Sequence, residues 1–359
     1  MGRRARVTIR YPSGRVTPLA AELLLDGTQP ILGYKAPSRA AEFHLMGALA
    51  PMPGVQDGVI LTGPPKGFVP PWKIRSTQGS NQDGSTFNSA VYDPLEIDLP
   101  VSAFGSTPRA TRQVVRDWVE SWDVRQQGEL FTLTEAGYLY TPVRWMKNPV
   151  DGLMMAQQCR QDFTWTAMGD DAFWRAPDSI CQFPAPGTSL VSGNGTGFIT
   201  LTNDGDQLGW VNHVVYGPFQ QIQIANGPGS TSMIKFGPLL PNQVALLRTE
   251  PRLRGVTDLT TLPVPTQNTN LFQDIVKRIV SFASNNNVPP LLRQFESLFG
   301  ILPPQGELYS LLDGRFTKPL AAKTVGIPAR EQHIAVKVEG GNSATKIVSY
   351  VTPRRRWPF

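Results

Sequence analysis

The sequence is poor in the residues that build disulfide frameworks and zinc sites. Its 359 residues include two cysteines, Cys159 and Cys181, and three histidines. Two cysteines are too few for a disulfide framework, and no C-x-x-C pair or Cys/His cluster is present, so a zinc module is not expected. Separate thiols are typical of a protein made in a reducing cytosol.

Long apolar runs and large charged tracts are missing as well. No run of about 18 apolar residues occurs, so we expect no membrane-spanning helix. The N-terminal residues MGRRARVTIRYPSG carry charge but no apolar stretch, so no signal peptide is expected. Charged residues make up 17% of the chain, and the net charge is +6. Basic residues cluster at the two ends without interleaved aromatics, so no nucleic-acid specificity is predicted.

Motifs of catalysis and of cofactor or metal binding are lacking too. No G-x-S-x-G, P-loop or H-E-x-x-H motif occurs, and His44, His213 and His333 have no ligand partner at a known spacing. Asp204 and Asp206 could suggest calcium, but the Gly and Glu of an EF-hand loop are absent, which favours a turn. Asp170-Asp171 could suggest a glycan hydrolase, whose carboxylates the fold must set about 5–10 Å apart; a turn is the better interpretation. We predict no catalytic residue, cofactor or metal.

Chain breakers, by contrast, are abundant. Gly and Pro number 33 each, while 40% of the residues are hydrophobic. This hydrophobic fraction suffices for packed cores, and the length predicts two domains. Frequent breaks favour a mainly β fold with few long helices.

Residues 1–185 are predicted to form a β-rich domain with one helix. Ser106 or Thr107 can cap a helix that begins near Pro108. Trp118 and Trp122 then lie on one apolar face at helical spacing. This face either packs onto the domain's own sheet or contacts another subunit. Ser76–Ser89, rich in Ser, Asn, Gln and Gly, is predicted to be an exposed, mobile loop.

Residues 186–359 are predicted to form an antiparallel β-sandwich that begins after the linker-like segment Pro184–Gly187. Within Gly197–Val256, short alternating strands are separated by turns about every 8–12 residues. Helical spacing then replaces alternation, which predicts a helical insertion over about residues 262–328. Strand patterns return at Ile334–Val338 and Lys346–Val351, so we expect this hairpin to rejoin the sandwich.

The order of these elements resembles a known family. One strand ends in Thr202–Asp206, a second reaches Gly217-Pro218, and a third closes at Asn226-Gly227 before the final strand, Val244–Thr249. This order resembles the C-terminal galectin-like sandwich of siphophage distal tail proteins, and most of all the minor tail proteins of actinobacterial phages. Asn287–Phe316 is similar to the helical insertion of such proteins.

The resemblance implies a non-enzymatic virion protein at the tail tip, synthesised in the host bacterial cytoplasm. The N-terminal domain would form a homo-oligomeric ring, hexameric in that family, with the sandwich projecting outward. The tail tube protein would stack above the ring, the tape measure protein would lie within, and hub or tip proteins would lie below. We place the ring contacts on the loop Ser76–Ser89 and on aromatic side chains. These are Trp118, Trp122, Trp145 and Trp165.

Two alternatives remain open at this stage. The sandwich could be a carbohydrate- or receptor-binding module of the tail tip, with Trp210 or Tyr216 stacked on a sugar ring. A fold does not by itself imply this function. The other alternative is an enzyme that hydrolyses peptidoglycan or polysaccharide, for which the sequence provides no catalytic constellation.

Overall fold

The computed structural model describes residues 10–11, 14–15, 30–37, 41–80, 83–134, 137–147, 158–190, 193–251, 253–260 and 307–359. As predicted, the fold is mainly β, with one α-helix in this part of the chain. The chain divides into two compact units. The first comprises Met1–Pro177 with Arg355–Phe359, and the second comprises Asp178–Arg354, so the division falls before residue 185.

The first unit is built around a nine-stranded antiparallel sheet. The elements of the N-terminal unit are β1 Arg10–Tyr11, β2 Gly14–Arg15, β3 Ile31–Lys35, β4 Glu42–Met46, β5 Gly58–Leu61, β6 Trp72–Thr77, β7 Thr86–Tyr92, β8 Leu95–Phe104, α1 Pro108–Glu120, β9 Gly128–Thr134, β10 Gly137–Lys147, β11 Arg160–Gly169 and β12 Trp174–Arg175. The main path of the sheet runs β4-β3-β9-β10-β11-β8-β5, and β12 adds to β10. Near the C-terminus, β23 (Arg354–Arg355) pairs with β12.

Helix α1 begins where the sequence predicts. Thr107 has extended backbone angles, and its Oγ1 accepts a hydrogen bond from the Ala110 amide at 3.2 Å, which satisfies one of the unpaired N–H groups of the first turn. Pro108 occupies the first turn, where its missing N–H costs no hydrogen bond. The helix packs against β8 and β11 and buries Trp118 completely. The apolar face of the helix was predicted either to pack onto its own sheet or to contact another subunit, and in the structure it packs onto its own sheet.

The second unit is a sandwich of two five-stranded antiparallel sheets. The strands are β13 Ser179–Phe183, β14 Gly195–Thr202, β15 Asn212–Tyr216, β16 Gln221–Ala225, β17 Met233–Phe236, β18 Val244–Arg248, β19 Gly255–Asp258, β20 Leu312–Asp313, β21 Glu331–Glu339 and β22 Lys346–Val351. One sheet has the order β13-β22-β15-β18-β19 and the other β14-β21-β16-β17-β20. Between them lies a single apolar core that includes Ile199, Val215, Ile222 and Ile347.

The hairpin predicted to rejoin the sandwich does so. Strand β21 pairs with β14 and β16, and β22 pairs with β13 and β15. Other predictions for this half need correction. Pro184–Gly187 is a turn inside the second unit, since β13 precedes it and already belongs to a sandwich sheet.

The predicted insertion lies mostly outside the described residues. Its two main predicted helices, within residues 262–306, fall there. The short helix predicted over Leu308–Leu312 is a 3-10 turn, Glu307–Leu311, and Leu312 begins β20. Because β20 pairs with β17, the chain has rejoined the sheet well before residue 328.

Candidate assembly surface

The hairpin of β6 and β7 forms a two-stranded sheet of its own. Residues 76–77 and 86–89, predicted to be part of a mobile loop, are paired strand instead. Their Ser and Asn content suggested a loop, whereas the two segments pair in antiparallel register, with side chains alternating between the two faces of the hairpin. Every residue of β6 is exposed. Isolated two-stranded hairpins are at best marginally stable in water, so contacts outside its own two strands contribute to the stability of this hairpin.

One face of the hairpin is apolar. Trp72, Ile74 and Phe87 are 58%, 63% and 64% exposed. Trp72 lies opposite Tyr92, and Ile74 lies opposite Ala90. A bulge after Arg75 places Phe87 opposite Ser76, on the same face as Ile74. The exposed apolar side chains therefore form one continuous surface, which we call the hairpin face.

The base of the hairpin is fixed to the unit. Tyr92 makes an edge-to-face contact with Phe173, with ring centroids 5.0 Å apart. The Asp93 amide donates to the Pro71 carbonyl at 2.8 Å, and its carboxylate pairs with Lys73 Nζ at 2.8 Å. The opposite face of the hairpin carries Lys73, which is paired with Asp93, together with Arg75 and the exposed Val91. The hairpin thus presents an apolar face and a mixed face from an anchored base.

A second exposed apolar surface lies on the connection between β4 and β5. Leu49, Met52 and Val55 are 43%, 65% and 77% exposed. Two turns order this connection, since the Ala50 amide donates to Gly47 O and the Val55 amide donates to Met52 O. We call it the β4–β5 loop. Its end is attached to the start of α1, because Asp57 Oδ1 accepts from the Ser106 amide at 2.6 Å.

The four tryptophans predicted as subunit contacts belong to the interior instead. Trp118, Trp122 and Trp165 are buried, and Trp145 is half-buried with its ring stacked on Trp165 at 4.7 Å. Trp122 also stacks on Tyr34 at 3.7 Å. Such aromatic pairs stabilise a core beyond the area that they bury. Trp118, Trp122 and Trp165 therefore pack α1 against its sheet and leave almost no surface for another subunit, whereas the half-buried Trp145 keeps part of its surface exposed.

Tyr34 is buried from water in the aromatic cluster formed with Trp118 and Trp122. Its hydroxyl donates to the Ser121 carbonyl at 2.8 Å. Burial, with a smaller effect of the Asp123 carboxylate, raises the pKa of Tyr34 far above its ordinary value. The Tyr34 phenol is therefore held in its neutral form, and its role in this cluster is structural.

The predicted glycan contacts are not brought together on the surface. Tyr216 is 3% exposed, and burial raises its pKa to about 12. Its strand, β15, is covered on both faces, so the ring is not available to stack on a sugar. Trp210 is half-buried. Sequence reasoning missed Phe198, which is 65% exposed beside His333, with ring centroids 6.2 Å apart. Alternation with Ile199 and Leu201 was the available signal.

The aspartates considered as calcium ligands or catalytic carboxylates form turns and ion pairs with nearby residues. Asn203 Oδ1 accepts from the Gly205 amide at 3.1 Å, as expected for a turn, and Asp204 pairs with Lys323 Nζ at 2.9 Å. Asp170 pairs with Arg144 at 2.7 Å, and Asp171 with Arg175 at 2.9 Å. No group of three or more His, Cys, Asp or Glu side chains suited to a metal occurs in the described ranges. No helix in that same part of the chain is long and apolar enough to span a membrane.

Comparison with known proteins finds likeness in structure alone. No protein-family model matches the sequence, and no curated protein matches it. The Dit protein of phage SPP1, described as a paradigm of the hub adsorption apparatus in phages that infect Gram-positive hosts, aligns over 91% of this chain and 99% of its own, with a TM-score of 0.48 and 8% identity. Chains of the phage P2 baseplate in its activated conformation, with Ca and with Sr, align over 92% of this chain and 100% of theirs, with TM-scores of 0.48 and identities of 9% and 8%. Likeness at these values assigns the chain to no family.

Proposed function

We propose that this chain is a structural protein of the virion of a long-tailed phage, located at the tail tip. Its N-terminal unit assembles with further copies into a closed ring, hexameric by the resemblance, that joins the tail tube to the tip. The tail tube, tape measure and hub proteins are its partners. The galectin-like second unit projects from this ring, and the protein performs no catalysis.

The observation that carries this proposal is the hairpin face. A soluble monomer rarely leaves contiguous large apolar groups in water, and such surfaces usually mark protein contacts. Trp72 and Phe87 are of the aromatic type that is enriched where proteins associate. The order of sandwich strands, which resembles the distal tail family, supports the position in the tail.

Light scattering during size-exclusion chromatography tests the ring. We expect the full chain to form a closed oligomer whose mass is a fixed multiple of 39.4 kDa. Mixing with the tail tube protein of the same phage should produce a larger complex. A chain that stays monomeric at all concentrations and never associates with the tube protein would refute the proposal.

A carbohydrate- or receptor-binding role of the second unit is the alternative, favoured by Phe198. This ring projects from the outer face of its sheet, and Thr200 and His333 share a 3.0 Å hydrogen bond beside it. Aromatic rings next to hydrogen-bonding groups suit the faces and hydroxyls of sugars. A glycan array probed with the full chain and with the Phe198→Ala variant distinguishes this role from a purely architectural one. Binding that depends on Phe198 supports this role, whereas no binding leaves the architectural role alone.

A further inference from the structure

The segment Arg355–Phe359 follows the sandwich in the chain but belongs to the first unit. It begins in β23, which pairs with β12. The Pro358 carbonyl accepts a 3.2 Å hydrogen bond from Thr132 Oγ1, and both residues are buried. The Phe359 ring packs on Phe68, with ring centroids 5.7 Å apart. Strand pairing, a buried hydrogen bond and a ring contact therefore hold this segment, which we call the strap, on the first unit.

The strap contacts residues at the base of the hairpin of β6 and β7. Phe68 is separated from the start of β6 only by Val69–Pro71. Its ring makes an edge-to-face contact with Trp174 of β12 at 5.2 Å, and Trp174 Nε1 donates to the Phe68 carbonyl at 2.9 Å. Phe173, the neighbour of Trp174 in the chain, contacts Tyr92 at the end of β7. The strap therefore packs on the residues that hold both ends of the hairpin.

The hairpin depends on this base for its position. Among the described residues, β6 and β7 pair only with each other, and every residue of β6 is exposed. Two strands by themselves are at best marginally stable in water. Local opening requires less free energy than global unfolding, so weaker contacts at the base should loosen the hairpin while the nine-stranded sheet stays folded.

We propose that the strap positions the hairpin face for assembly, with Phe359 acting through Phe68 and Thr132 holding the Pro358 carbonyl. This role rests on the proposed ring, and it makes the contact surface of the ring dependent on a segment that follows the second unit. Chains are synthesised and fold from the N-terminal end, so a growing chain lacks the strap until its sandwich has been made. The hairpin face is then fixed only in a chain that already carries its second unit.

Hydrogen exchange followed by mass spectrometry tests the strap through the Phe359→Ala variant. Wild type and variant are compared in the same oligomeric state, selected by dilution. The amides of β6 and β7 should exchange about tenfold faster in the variant, because the ring contact with Phe68 is lost. The amides of β8 and β11 should keep their wild-type rates. Phe359→Tyr retains the ring and should restore slow exchange, and Phe198→Ala, which removes an exposed ring from the second unit, is the matched control.

Assembly provides the second measurement. In light scattering, the concentration needed for assembly should rise by about tenfold for Phe359→Ala and should stay unchanged for Phe198→Ala. Thr132→Val, which removes the hydrogen bond to the Pro358 carbonyl, should also weaken assembly.

The outcomes separate the strap from the ring. Unchanged exchange of β6 and β7 in the Phe359→Ala variant overturns the strap, although the proposed ring survives. Equally faster exchange in β8 and β11 shows a general loss of stability and overturns the positioning role, as does normal assembly of a variant whose hairpin is loosened. A wild-type chain that never assembles refutes the ring, whereas the exchange rates still show whether the strap holds the hairpin.

Discussion

His213 is a buried, neutral imidazole in the sandwich. It lies on the inner face of β15, where Nδ1 shares a 2.7 Å hydrogen bond with Ser349 Oγ and the ring lies 5.5 Å from Phe316. Burial lowers the pKa of His213 to about 3, because the charged form would lose its hydration. Its position in a strand was predictable, but the burial was not, because whether a sheet face is covered depends on distant strands.

This lowered pKa predicts a dependence of stability on pH. In the unfolded chain, His213 takes up a proton as pH falls through about 6.5, whereas the folded chain stays neutral until about pH 3. The unfolded state then binds more protons, so the free energy of unfolding falls by up to about 1.4 kcal/mol per pH unit in this window, or about 2 kcal/mol between pH 7 and pH 5. The His213→Gln variant should lose this part of the pH dependence.

Denaturant unfolding at pH 7 and at pH 5 measures the effect as a difference between variants. His333→Gln is the control, because His333 lies on the outer face of the other sheet and is exposed. Identical pH dependence in the wild type and the His213→Gln variant would contradict the prediction.

At the scale of elements, the edge strand β14 is protected by side chains of β13. Cys181 Sγ accepts from the Thr200 amide at 3.4 Å, and Ser179 Oγ accepts from the Thr202 amide at 3.2 Å. These N–H groups point away from the partner strand β21, where an added strand would bind them. Natural sheets avoid aggregation by protecting such edges.

Removing both acceptors should expose this edge. The Ser179→Ala/Cys181→Ala variant leaves two partly buried N–H groups unpaired, which costs about 1–3 kcal/mol for each group that water cannot reach. We expect a lower free energy of unfolding and faster aggregation, measured by denaturant unfolding and by light scattering on warming. Cys159→Ala, which changes an exposed thiol, should match the wild type. Equal aggregation rates for all three proteins would show that these side chains do not protect the edge.

Helices and strands were predictable from the sequence where a short stretch of neighbouring residues determines them. Thr107 and Pro108 specify the start of α1 within a few residues, and alternation indicated β21 and β22. The hairpin of β6 and β7 was missed because its composition is that of a loop, while its pairing depends on register. Pro184–Gly187 has the composition of a linker, and composition alone cannot distinguish a linker from a turn between β13 and β14.

At the scale of the whole molecule, exposed and buried aromatic residues have separate roles. Trp118 and Trp165 are buried and hold α1 to its sheet, whereas Trp72 and Phe87 are exposed on the hairpin face. The sequence marks all four as large and apolar, so the prediction of an aromatic interface named buried residues, while the exposed aromatic side chains of the hairpin face were not named. Whether an aromatic side chain lies in the core or on the surface depends on which strands pair, and these strands are distant along the chain.

This separation predicts that assembly can be abolished while the fold is kept. The Trp72→Ser/Phe87→Ser variant should be monomeric in sedimentation experiments, because both side chains belong to the hairpin face. Its monomer should unfold within about 0.5 kcal/mol per substitution of the wild-type monomer, since surface substitutions cost little. Leu240→Ser is the control for removal of an exposed apolar group, because Leu240 is 65% exposed in the second unit, and it should still assemble. If the hairpin variant assembles as the control does, the ring contacts lie elsewhere; if it unfolds, the hairpin face is needed for the stability of its own unit.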